Sequence, residues 1–144
     1  MAHPSGLLRL SLLVSLLLAG AALQAAGTEL AGTYRVEQVT DLGSEVRVTL
    51  HIRLVNNTTQ DLAVVEISLR DLHQSGERAA VPAVTRLQPR EGTTVEHEFV
   101  VSRAEYERWS KGVRPALEVR LQSAGGREVR RAVYLTRVEA GRKP

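Results

Sequence analysis

The chain has no cysteine, which rules out two things at once. Disulfides cannot staple the fold, and no lipid can be attached to a cysteine behind an N-terminal leader. A domain made this way must rely on its hydrophobic core. Aromatic residues are also scarce, with a single Trp and a single Phe. Lysine is nearly missing: of 19 basic residues only Lys111 and Lys143 are Lys. The formal net charge is just +3, so the high isoelectric point reflects many arginines and not a large excess of positive charge. Such a balance makes no case for nucleic acid as a partner.

Long apolar runs are lacking too, with one short exception. Leu10 to Leu23 is 14 residues of Leu, Val, Ala and Gly, relieved only by Ser11 and Ser15. A membrane-spanning helix needs about 20 apolar residues. Met1 to Arg9 carries one Arg and no acid, and the small residues Ala25, Ala26 and Gly27 follow the run. Basic start, short apolar stretch and small-residue exit form the layout of a secretory signal peptide. We therefore expect residues 1–26 to be a leader, cut after Ala22, Ala25 or Ala26, with Ala25 or Ala26 favoured. The mature chain would be periplasmic or secreted and would keep no membrane span. Its 118 or so residues are enough for one domain with a real core. That domain should run over 27–140, with 141–144 as a flexible tail.

The body of the chain alternates. In Glu45–Val55, Val46, Val48, Leu50, Ile52 and Leu54 fall on one parity, with Glu45, Arg47, Thr49, His51 and Arg53 on the other. This is a strand with one wet face. Asn56 to Thr59 ends it as a polar turn. Leu62–Arg70 is the next strand, with Ala63, Val65, Ile67 and Leu69 expected inward, and it should pair antiparallel with the one before. Asp71 to Arg78 reads as a loop. Val81–Leu87 is a weaker strand whose Pro82 suits an edge. Thr93–Val101 carries Val95, His97, Phe99 and Val101 on one face.

Ser102 to Lys111 breaks the pattern. Ser102 with Glu105 fits a capping box at a helix start. Tyr106 and Trp109 share a helical face, and Gly112 and Pro115 stop the helix. Ala116–Gln122 and Glu128–Arg137 form a hairpin around Ala124-Gly125-Gly126, and Thr33–Val39 is the first strand. The sum is an all-β chain: an antiparallel β-sandwich of about seven strands with one short helix near 103–110, a small closed barrel being the alternative.

Three pieces carry a resemblance. They are Val46–Leu50 running through the Asn56–Leu62 turn, the stretch Leu87-Gln88-Pro89-Arg90-Glu91-Gly92-Thr93-Thr94, and the final hairpin. Together they resemble the immunoglobulin-like domains of bacterial envelope and secreted proteins, such as the CARDB-type adhesion-related modules. The second piece is similar to an L-x-P-G-x-S/T turn, with an extra residue pair between Pro89 and Gly92. The Tyr106–Trp109 helix is not part of that pattern. The resemblance implies a role in adhesion, assembly or spacing.

Catalytic equipment is sparse. His51, His73 and His97 offer no short-spaced pair for a metal, and no cofactor is expected. There is no Gly-x-Ser-x-Gly elbow and no phosphate-binding glycine loop. Glu96 and Glu98 share the outer face of a strand, where solvated charge is the ordinary reading. The overlapping sequons at Asn56 and Asn57 read as a polar turn. We therefore expect no enzyme but a module binding another envelope or extracellular protein, by a sheet edge or by the helix-bearing end around Tyr106 and Trp109. The alternative is an acidic glycan or small acidic ligand held by Arg120, Arg127, Arg130 and Arg131 on the last hairpin. Against that, Glu118 and Glu128 can neutralise the hairpin, and the single Trp is expected in the core.

Overall fold

The computed structural model describes residues 29–71, 80–123 and 125–139. The expected leader at 1–26, most of the Asp71–Arg78 loop with His73, and the tail at 141–144 lie outside them. In chain order the elements are β1 (Leu30–Asp41), β2 (Glu45–Asn56), β3 (Leu62–Leu69), β4 (Val81–Leu87), β5 (Gly92–Ser102), α1 (Arg103–Ser110), β6 (Ala116–Ser123), β7 (Glu128–Tyr134) and β8 (Thr136–Arg137).

They form two four-stranded sheets, ordered β5-β2-β1-β8 and β4-β3-β6-β7. All pairings are antiparallel except the short β1–β8 contact, which is parallel. This is an immunoglobulin-like β-sandwich, as the alternation predicts. The core lies between the sheets. From β2 it takes Val48, Leu50, Ile52 and Leu54, all wholly buried, and from the facing sheet Val64, Ile67, Leu117 and Val119. Each such side chain contributes about 1.5–3 kcal/mol by leaving water.

Two expectations are corrected here. β2 and β3 do not pair; the Asn56–Asp61 link carries the chain from one sheet to the other. Asn56 drives that crossover. It is wholly buried, and its Nδ2 donates to Gln60 O at 2.7 Å and Leu87 O at 3.1 Å. Its Oδ1 accepts from Thr58 N at 2.9 Å and Thr58 Oγ1 at 2.7 Å. One amide thus ties the turn to itself and to the end of β4. The second correction is the inward face of β3. A bulge at Val65 shifts the register between Val64 and Glu66, so Leu62 and Val64 point into the core in place of Ala63 and Val65.

The last strand also divides. β7 ends at Tyr134, the wholly buried Leu135 crosses over, and Thr136 and Arg137 join β1 in the opposite sheet. Gly32 on β1 permits the crossing: a Cβ there would sit 2.5 Å from Leu135 Cδ2.

Candidate functional site

The helix and the strand that leads into it build one end of the sandwich. Ser102 caps α1, its Oγ accepting from Glu105 N at 3.1 Å. The capping box is half made. The Ser102 N–H is satisfied by Asp71 Oδ2 at 2.7 Å, and the Ser102 hydroxyl lies 3.0 Å from Asp71 Oδ1. Glu105 instead turns beneath the helix, where it is buried. Its Oε1 accepts from Trp109 Nε1 at 3.0 Å and its Oε2 from Arg108 Nη1 at 2.8 Å. Trp109 is 3% exposed and belongs to the core, packed edge-on against the half-buried Tyr106 at 6.0 Å between ring centroids.

Gly112, at φ +92°, ends the helix. Its N–H donates to Trp109 O at 3.0 Å, and Val113 N donates to Arg108 O at 3.0 Å, the double closure that only a left-handed residue allows cheaply. This turn lays Val113 and Arg114 over the β7–β8 crossing. Between them opens a cleft of about 310 Å³, lined by Tyr34, Trp109, Val113, Arg114, Leu135 and Arg137 among others. No acid lines it. Arg114 Nη2 is held by Tyr134 O at 2.6 Å and Thr136 Oγ1 at 3.2 Å. Tyr34 is 2% exposed. Burial pushes its pKa up, while the nearby charge of Arg137 pulls in the other direction by less.

The arginines of the last hairpin do not form one basic patch. Arg120 and Arg130 stand opposite each other on the outer face, and carboxylates flank both. Arg120 Nη2 is 3.2 Å from Glu66 Oε2, and its Nε is 3.5 Å from Glu128 Oε1. Arg130 Nη1 is 3.4 Å from Glu118 Oε1, and the other oxygen of that carboxylate faces Arg70. Arg131 points to the other face, where its Nε lies 3.5 Å from Glu29 Oε2. Arg127 is exposed in the turn. The alternation of β7 separates neighbours that look clustered in sequence.

The edges differ in how they end. On β7, Leu135 N donates to Pro115 O and Ser123 N to Arg127 O. Antiparallel alternation then aims the carbonyls of Arg130 and Tyr134 away from β6. Arg131 Nη1 takes the first at 3.3 Å and Arg114 Nη2 the second at 2.6 Å. The β4 edge carries Pro82 and an irregular register against β3. By contrast, β5 runs 11 residues in unbroken register with β2 and holds no proline. Arg103 N donates to Ser44 O and Asn56 N to Glu91 O, which directs Thr94, Glu96, Glu98 and Val100 to the free side. Among the described residues no strand pairs there. Both the capped β7 edge and the bare β5 edge escape a reading of composition, because only pairing phase reveals them.

His51 lies on the outer face, with its Nδ1 2.9 Å from Arg35 Nη2, while His97 packs edge-on against Phe99 at 5.0 Å. Among the described residues no group of three His, Asp or Glu side chains could hold a metal ion, and no helix is long and apolar enough to cross a membrane.

No protein-family model matches the chain, and no curated protein matches it either. Among solved structures, the Northeast Structural Genomics Consortium target SoR45 is similar at 7% identity and a TM-score of 0.47, over 80% of this chain and 90% of its own. A Bordetella pertussis protein described as ApaA is similar at 10% identity and a TM-score of 0.46, over 72% and 85%. A protein from Archaeoglobus fulgidus is similar at 12% identity and a TM-score of 0.38, over 74% and 94%.

Proposed function

We propose that this chain is a non-catalytic, exported β-sandwich module that binds another envelope or extracellular protein by accepting one of its strands along β5. One observation carries the reading. β5 is a long, regular, proline-free edge whose outward backbone groups at Thr94, Glu96, Glu98 and Val100 are unpaired among the described residues, while arginine side chains occupy two outward carbonyls of the comparable edge at β7. Sheet edges are normally blunted because bare ones recruit other chains. A chain that caps one edge and leaves another straight has the geometry for selective strand addition, in which main-chain hydrogen bonds supply affinity. Glu96 and Glu98 on the outer face of that edge favour a partner strand bearing cations at alternate positions. Export rests on the leader-like residues 1–26. The resemblance to CARDB-type modules agrees with an assembly or adhesion role.

The test is a proline at an outward position. Glu98→Pro removes an N–H that β2 does not use, so the fold should survive with only modest loss. A partner cross-linked to the wild-type protein in intact cells should no longer be captured by Glu98→Pro. Capture should persist with Arg130→Ala. Equal capture by the proline variant, or no discrete partner for the wild type, would overturn the reading.

A further inference from the structure

The side chains of β5 decide what kind of strand can lie beside it. The backbone groups that face away from β2 belong to Thr94, Glu96, Glu98 and Val100, and the side chains of the same residues stand on the outer face. Glu96 and Glu98 are both exposed. Glu98 has Arg47 Nε at 3.3 Å on its β2 side. Glu96 stands across from His51 and makes no ion pair among the described residues. On the inner face Phe99 and Val101 are buried, whereas Val95 and His97 are only partly covered. A strand laid along this edge therefore meets carboxylates on one face and a partly open apolar strip on the other. A second copy of this chain fits badly there. Two antiparallel β5 strands in full overlap over Thr94–Val100 set Glu96 opposite Glu98 of the second copy. A shift by two residues either way sets Glu96 or Glu98 opposite its own counterpart. Like charges directly opposite are destabilising.

Resting on strand addition along β5 as the function, we propose that the strand accepted there is a basic, amphipathic segment of a partner protein, as long as Thr94–Val100. It carries Lys or Arg at the alternate positions opposite Glu96 and Glu98. The residues between them are apolar and continue the inner face of Val95, His97 and Phe99. Each carboxylate has two oxygens, so Glu98 can keep Arg47 on one side and accept from the incoming cation on the other. Opposite charges across strands are favourable by a modest amount per pair, so the main-chain ladder holds the strand and the glutamates choose it. The same glutamates that attract a basic strand repel a copy of this chain. A bare edge is thereby kept from pairing with itself while it stays open to one class of partner.

The probe is a fluorescently labelled, end-blocked peptide, Thr-Val-Lys-Val-Lys-Val-Thr, whose pattern is the same in both strand directions. Its controls replace both lysines with glutamate or with serine. Fluorescence anisotropy at low salt should show saturable binding of the lysine peptide below about 1 mM, with the glutamate peptide about tenfold weaker or worse. Glu96→Lys combined with Glu98→Lys should invert that order, and because both side chains are exposed the fold is kept. Glu98→Pro should abolish binding of the lysine peptide. Equal binding of all three peptides, lost in Glu98→Pro, would overturn the charge rule and leave strand addition standing. No saturable binding of the lysine peptide, binding that Glu98→Pro leaves intact, or an order that the charge-reversed variant does not invert would each overturn the proposal. Sedimentation equilibrium should find the wild type monomeric. A dimer that Glu98→Pro dissolves would make a second copy the occupant and overturn the proposal as well. The melting temperature of every variant is measured alongside, so a loss of binding is read only from folded protein.

Discussion

Glu105 sits beneath its own helix and holds Trp109, Oε1 to Nε1, at 3.0 Å. Both residues are 3% exposed, so neither group can turn to water instead. Glu105→Ala would leave the indole N–H buried with nothing to accept it, at a cost of about 1–3 kcal/mol. Glu105→Gln keeps an acceptor and loses the charge shared with Arg108, so its cost should be smaller. Urea denaturation ranks the two. A red shift of Trp109 emission in the alanine variant alone would show that the indole has lost its seat. Equal stability of wild type and Glu105→Ala would show that the buried bond has no net worth.

Asn56 gives the second expectation. It fixes the crossover between sheets through four side-chain hydrogen bonds, two donated and two accepted. Asn56→Asp preserves shape but turns a double donor into an acceptor facing the Gln60 and Leu87 carbonyls. The loss should exceed that of any exposed substitution in the same turn, on the order of 2–4 kcal/mol, since buried polar groups would be left opposed or unpaired. Thr59→Ala, beside it on the exposed side, should cost under about 0.5 kcal/mol. Chemical denaturation of the two variants against wild type provides the comparison.

The strands were legible because a half-buried strand writes its burial as a period of two, and β2 and β5 obey it without interruption. The helix stop was legible in Gly112, and the Pro82 edge in its missing donor. Three features were not. The bulge at Val65 reverses parity, and no residue type announces it. The buried role of Asn56 looks like an ordinary polar turn until Leu87, 31 residues away, is known to be beside it. The cleft gathers Tyr34, Trp109, Arg114 and Arg137 from four places in the chain, so no local spacing could reveal it. The arginines of the hairpin drew notice because they are neighbours in sequence, yet alternation and the carboxylates of Glu66, Glu118 and Glu128 divide them.

Gly32 tests the chain crossing between the sheets. A methyl group there would lie 2.5 Å from Leu135 Cδ2, 3.0 Å from Val133 Cγ1 and 3.2 Å from Leu54 Cδ2, all core side chains. Gly32→Ala should therefore destabilise by about 1–3 kcal/mol through overpacking. Gly125→Ala, with nothing within 4 Å of the added carbon, is the matched control and should stay within about 0.5 kcal/mol. If the two variants melt together, β8 does not lie as close to β1 as the structure places it.

Tyr34 makes the protein sensitive to alkali. Burial favours the neutral phenol, so its pKa is raised in the folded state, and the opposing charge of Arg137 recovers only part of that shift. A group whose folded pKa lies above its unfolded value contributes stability that is complete below the unfolded value, about 10 for tyrosine. That contribution fades as pH climbs through the folded pKa. Wild type should thus lose stability above about pH 10 faster than Tyr34→Phe, which has no phenol to ionise. Arg137→Gln should push the ionisation of Tyr34 higher still, because it removes the charge that eases it. Absorbance at the phenolate band, followed with pH for wild type and both variants, separates these effects: the last phase should vanish in Tyr34→Phe and move upward in Arg137→Gln. A last phase that survives in Tyr34→Phe would assign it to another tyrosine and remove Tyr34 as the source of the alkaline loss.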